Sequence, residues 1–148
     1  DWYKRQVIWN VSYKKNYWCY MMEQKSDNFD KKWGIETAKH GWIGVPTLLL
    51  FAQDELQITP LELNVLLNLI MHWWNKDKHP YPAQASIARR MGMSVRTIQR
   101  TLDDLVAKGL IEKHRSSIHN PVFKGRNIYR LDPLVKVLRN IRLSIDNL

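Results

Sequence analysis

Cysteine is almost missing from this chain. Cys19 is the single one in 148 residues, which excludes an intramolecular disulfide framework and leads us to expect a reducing, cytoplasmic setting. Long apolar runs are missing too: nothing approaches the ~20 consecutive apolar residues that cross a bilayer. The N-terminus lacks the continuous apolar core and small-residue cleavage site of a secretory signal. No glycine-rich phosphate loop, nucleophile elbow or paired-histidine metal motif occurs. His114 and His119 stand among polar residues without cysteine partners, a poor metal set. We therefore expect no enzyme, no metal, no cofactor and no membrane role. With no second domain of a size to hold one, no small-molecule effector is expected either.

Acidic side chains are in short supply as well. The 14 Asp and Glu against 23 Lys and Arg leave a net charge of +9. The excess concentrates after residue 75: between Lys76 and Arg130 twelve Lys or Arg face only Asp77, Asp103, Asp104 and Glu112. A polyanion is the partner this favours, and nucleic acid fits it best. The length suits about one domain with a short appendage.

What is present is a pattern of two helices about a turn, in YPAQASIARRMGMSVRTIQRTLDDLVAKGLI from Tyr81 to Ile111. Gly92 can take the positive φ that a sharp break requires, with Met93 next to it as an apolar plug. Ser94 then caps a helix running to Lys108, and Ile98, Leu102, Leu105 and Val106 recur on its inward face. Turned away are Val95, Arg96, Gln99, Arg100 and Asp103. Arg can donate twice to guanine O6 and N7, Gln can pair likewise with adenine, and an aliphatic group can touch a thymine methyl. Ser94 and Thr97 suit phosphate. Asp103 and Asp104 would be repelled by it, so only the N-terminal half of the helix is expected in the major groove. An Arg- and Gln-bearing face is also what solvent selects; its coincidence with turn, cap and a preceding helix favours DNA.

That preceding helix, Gln84–Met91, is opened by Pro82 and turns Ile87, Ala88 and Met91 inward. Arg89 and Arg90 lie outside, within reach of backbone phosphates. After Gly109, suited to a left-handed helix end, Leu110 to Arg115 read as a strand. A polar loop with Asn120, Pro121 and Gly125 leads to a returning strand from Asn127 to Leu131. The resulting hairpin is basic at its tip and sides, through Lys113, His114, Arg115, Lys124 and Arg126. It would lie along a phosphate backbone or minor groove, although charge on an exposed edge also prevents unwanted strand pairing.

From Thr59 to Leu131, about half of the chain, the residues resemble winged helix-turn-helix proteins of the MarR-like and GntR-like kind. They look most like helix-turn-helix domain proteins of bacterial chromosomes, phages and plasmids. The matching pieces are TPLELNVLLNLIMHWW, the Tyr81 to Ile111 stretch and GRNIYRL, with SIARRMGMSVRTIQR the specific part. The resemblance implies a mainly α fold with a small β-hairpin wing and sequence-specific binding of double-stranded DNA. Ser94, Arg96, Thr97, Gln99 and Arg100 match the family's usual contact surface. Val95 stands where many such regulators carry a polar or basic residue, which leaves the base preference open.

The remaining segments frame that domain. A helix from 60 to 74 starts with Thr59, Pro60 and Glu62 as a capping box and buries Leu63, Leu66, Leu67, Ile70 and Trp74. His72 and Trp73 follow that stripe, with core packing favoured over a platform for a nucleobase. Residues 42–45 suggest a short strand or extended arm, and 46–55 a brief helix. The domain is expected over 42–131. A C-terminal amphipathic helix over 132–148 carries Leu134, Val137, Leu138, Ile141 and Ile145 on one face, to be buried on its own domain or in a homodimer. Residues 1–22, dense in Trp, Tyr and Lys, read either as a hairpin that stacks on unpaired bases or as a non-native appendage, and 23–41 as a linker. The leading functional expectation is a cytoplasmic, nucleoid-associated transcriptional regulator of a bacterium or mobile element. The alternatives are a phage or plasmid replication-initiation or maintenance factor and a winged-helix protein-interaction module.

Overall fold

The computed structural model describes residues 29–142. The expectations for residues 1–22, Cys19 and Ile145 fall outside them. The chain divides between Trp42 and Ile43 into two units. In the first, residues 29–33 are helical, and α1 (Ile35–Ala38) follows after Gly34 at φ 84°. The Phe29 ring lies 6.2 Å from that of Trp33 and 6.3 Å from that of Trp42. The described part of the expected linker thus carries helical turns.

The second unit contains α2 (Thr47–Phe51), α3 (Pro60–Met71), α4 (Gln84–Met91), α5 (Val95–Ala107), β1 (Glu112–Arg115), β2 (Asn127–Arg130) and α6 (Asp132–Asn140). Residues 42–45 form no strand, which leaves the extended arm of the two alternatives. Helix α2 is also shorter than the 46–55 expected. Pro46 precedes it in extended backbone and Ala52 closes it at φ −91°, ψ 1°. The chain then tightens into turns in which Gln57 takes a positive φ of 54°.

Helix α3 starts where the capping box puts it. The Thr59 hydroxyl accepts from the Glu62 N–H and Glu62 Oε1 accepts from the Thr59 N–H, each at 3.2 Å. It ends a turn earlier than its apolar periodicity suggests. The His72 N–H reaches the Leu69 carbonyl and the Trp73 N–H the Ile70 carbonyl, both at 3.0 Å, and these tighter bonds turn the following residues off the stripe. Val65, Leu66 and Leu69 are therefore buried, Leu63, Ile70 and Trp73 pack beside them, and Trp74, expected in the core, is 83% exposed.

Between α4 and α5, Gly92 sits at φ 64°, ψ 33°, and the Met93 N–H closes back on the Ala88 carbonyl at 2.9 Å. That six-residue return bond is the signature of a glycine-terminated helix. It recurs at the end of α5, where Gly109 at φ 71° precedes a Leu110 to Leu105 bond of 3.1 Å. Met93 does not plug the turn; the left-handed break leaves it 42% exposed. On α5, Ile98, Leu102 and Leu105 are buried as expected, but Val106 is exposed and Thr101 takes its place inside. Positions 98, 101, 102 and 105 form the narrow stripe, and 106 falls at its edge. Thr101 satisfies its hydroxyl by donating to the Thr97 carbonyl at 2.8 Å.

The two strands pair antiparallel, Glu112 opposite Arg130 and Arg115 opposite Asn127. Leu110 and Ile111, expected in the first strand, belong instead to the core. Tyr129 of β2 is fully buried; its N–H donates to the Pro80 carbonyl at 2.8 Å and its hydroxyl accepts from Gln84 Nε2 at 3.0 Å, seating the hairpin on the start of α4. The described part of the C-terminal stripe packs on its own unit, with Leu134 buried and Val137 and Leu138 against the core.

Candidate nucleic-acid interface

The N-terminal half of α5 is held by its cap. Ser94 Oγ accepts from the Thr97 N–H at 3.1 Å and lies 2.8 Å from the Thr97 hydroxyl. Two hydroxyls expected to meet phosphate are thus already engaged with each other. Val95, Arg96, Gln99 and Arg100 are exposed beside them. Neither Arg96 nor Arg100 forms an ion pair among the described residues. Two free guanidiniums, a carboxamide and an aliphatic group therefore share one accessible surface, with donors suited to base edges.

A non-local bond fixes that helix against α3. Lys108, immediately after α5, donates to Glu62 Oε1 at 2.6 Å and to the Gln57 carbonyl. Glu62 is 4% exposed. Burial would raise its pKa, but the bonds from Lys108 and Thr59 and the lysine charge outweigh burial and hold it below the ordinary value. The carboxylate stays ionised and α5 stays in register with the capping box of α3.

The wing brings together part of what the sequence assigned to it. Arg115, Lys124 and Arg126 are exposed and without an ion pair among the described residues. Lys113 is drawn back to α5, 2.8 Å from Asp103 Oδ1, which also quietens one of the carboxylates expected to repel phosphate. Arg89 is exposed and forms no ion pair among the described residues, whereas Arg90 is tied down. Its guanidinium lies 3.2 Å from His72 Nε2 and also reaches the Met71 sulfur. Desolvation first and the Arg90 charge second lower the His72 pKa, so His72 is a neutral acceptor.

The loop between the strands is ordered and not uniformly basic. Asn120 Oδ1 accepts from the Val122 and Phe123 N–H groups at 2.9 and 3.0 Å, and Phe123 meets Tyr81 edge-on at 4.8 Å. Ile118 and Val122 stand 76% and 59% exposed. A tip read as basic therefore carries an aliphatic pair, which counting Lys and Arg hides although VF and SI are plain in the sequence. Gly125 sits at φ 79° with the Ile118 backbone 3.3 Å from where a Cβ would be; the close approach as well as the dihedral calls for glycine. Also missed was a cleft bordered by Trp74, Lys78 and Tyr81, for which the run HWWNKDKHPY was the available signal. Among the described residues no three His, Cys, Asp or Glu could hold a metal ion, and no helix is long and apolar enough to cross a membrane.

Three helices with a left-handed break before the third, followed by an antiparallel hairpin, define a winged helix-turn-helix fold. Residues 56–111 match the family described as helix-turn-helix domain. Among solved structures, the chain is similar to the N-terminal domain of the DnaD protein from Geobacillus kaustophilus HTA426. That likeness has 28% identity and a TM-score of 0.51, over 70% of this chain and 82% of that one. A point mutant of MepR from S. aureus, bound to an oligodeoxyribonucleotide, is similar at 18% identity and a TM-score of 0.43, over 93% of this chain and 87% of that one. No curated protein matches the chain.

Proposed function

We propose that this protein binds specific double-stranded DNA, without catalysis, as a replication-initiation or maintenance factor associated with the nucleoid. The observation that carries the DNA reading is the exposed face of Arg96, Gln99 and Arg100, the two arginines without an ion pair among the described residues, on the capped first turns of α5. The role is favoured by the likeness to the DnaD N-terminal domain, which spans most of both chains. In this reading the first turns of α5 enter the major groove, and Arg89, Arg115, Lys124 and Arg126 take phosphates beside it. Salt should weaken binding steeply, by a slope of about −0.9 per phosphate contacted.

A transcriptional regulator would use the same surface, and the architecture of the site separates the two. Selection from a randomised duplex pool is the test. Tandem copies of a short motif are expected for replication or maintenance, and a single palindrome with half-sites about one helical turn apart for a dimeric regulator. Retention of no duplex at low salt would refute DNA binding and leave the exposed Ile118 and Val122 as the start of a protein-interaction surface.

A further inference from the structure

A cleft of about 520 Å³ opens beside the end of α3, the residues before α4, α4 itself and the wing. No α5 residue lines it. Its cations are Lys78, Arg90 and Arg126, its aromatic walls include Trp74 and Tyr81, and neither Asp nor Glu borders it. Arg90 is occupied with His72 and the Ser86 carbonyl. Lys78 and Arg126, in contrast, form no ion pair among the described residues.

Trp74 has no evident structural task among the described residues. Its indole is 83% exposed, while its neighbour Trp73 packs against the core. A turn holds it close to Lys78 in sequence and space: Asn75 Oδ1 accepts from the N–H groups of Asp77 and Lys78 at 3.1 and 3.0 Å. On the other side Tyr81 is braced edge-on by Phe123 at 4.8 Å. An open indole with unpaired cations around it and no carboxylate in the lining, Asp132 standing behind it at 3.9 Å from His79, combines a stacking surface with phosphate contacts. A base inside a duplex has both its faces covered by neighbouring pairs. An unpaired base has a face to offer.

We propose that this cleft binds single-stranded DNA, with one unpaired base stacked on Trp74 and the flanking phosphates held by Lys78 and Arg126. The site is distinct from the α5 face and shares only Arg126 with the expected duplex contacts. A protein built this way holds duplex through α5 and, through the cleft, a strand that has left the duplex.

The test is fluorescence anisotropy with labelled dT10 and, separately, a labelled duplex. Wild type should bind dT10 in a salt-dependent manner. Trp74→Ala should weaken it roughly 5- to 100-fold, as loss of one base–aromatic stack does, while Trp74→Phe keeps most of the affinity. Lys78→Gln should reduce the salt slope by about 0.7. Duplex affinity should be the same in all four proteins, and the melting temperature of Trp74→Ala should match wild type because the indole is exposed. Loss of duplex binding by wild type with dT10 binding intact would refute the proposed duplex function and support the cleft. No binding of dT10 at low salt, wild-type affinity in Trp74→Ala, or dTMP bound as tightly as dT10 would each overturn the single-strand assignment.

Discussion

Replacing Lys108 by alanine isolates the bond that fixes α5 on α3. In the native protein Lys108 Nζ lies 2.6 Å from Glu62 Oε1, and Glu62 Oε2 is buried without a hydrogen-bond partner. Orphaning a fully buried charge costs about 3–5 kcal/mol, and a hydrogen bond to a charged group is worth about 1.5–3 kcal/mol. The Lys108 side chain is 31% exposed, so water replaces part of what the substitution removes, and the lower range applies, about 2 kcal/mol. For a domain of this size that lowers the melting temperature by roughly 8–16 °C.

The pH dependence has a definite sign. Burial pushes the Glu62 pKa up, and Lys108 and Thr59 bring it below the ordinary 4.5. A carboxylate depressed in the folded state contributes stability that is present above its unfolded pKa and is lost as pH falls through the folded one. Without Lys108, burial acts against the Thr59 bonds alone, and Glu62 takes up its proton at higher pH. Thermal melts of wild type and Lys108→Ala from pH 7 into the acid range should therefore show a gap that narrows below the ordinary carboxylate pKa. A gap below about 2 °C at pH 7 would refute the reasoning, since it corresponds to under ~0.5 kcal/mol. So would a large gap that stays constant with acidification.

Two further substitutions probe the reading surface and its support. Ser94→Ala removes the α5 cap and should cost about 1 kcal/mol, seen as a lower melting temperature together with weaker duplex binding; unchanged values for both would contradict the cap's role. Gly125→Ala forces a positive φ on an L side chain, at a cost of about 1–2 kcal/mol, and presses its Cβ on the Ile118 backbone. It should shift the wing loop and weaken duplex binding, whereas duplex affinity equal to wild type would show that the loop conformation does not matter.

Local chemistry made much of this fold legible. Thr59, Pro60 and Glu62 marked the start of α3, Gly92 the left-handed break and Ser94 the cap of α5, because each acts within four residues of itself. Helix ends and distant partners were harder to read. The apolar periodicity through Trp74 continues past the point where the chain leaves the helix, so it points Trp74 into the core that Trp73 occupies. Glu62 meets Lys108 from 46 residues away and Lys113 meets Asp103 across a turn; pairings of this kind depend on packing and leave no periodic trace. At the wing tip, charge composition concealed Ile118 and Val122, and the ring contact of Phe123 with Tyr81 spans three elements that only the folded chain brings together.

The central claim is that the exposed face of α5 reads DNA bases, and comparing wild type with Arg96→Ala plus Gln99→Ala across a salt series tests it most directly. Binding would be measured to the duplex motif selected by wild type and to a scrambled duplex of the same length. The account predicts that wild type prefers the motif and that the double variant loses the preference, with each lost bidentate contact worth about 1–3 kcal/mol, while retaining weak, salt-sensitive binding to both duplexes. A double variant that keeps the wild-type preference, or a wild type that binds neither duplex at low salt, would contradict it.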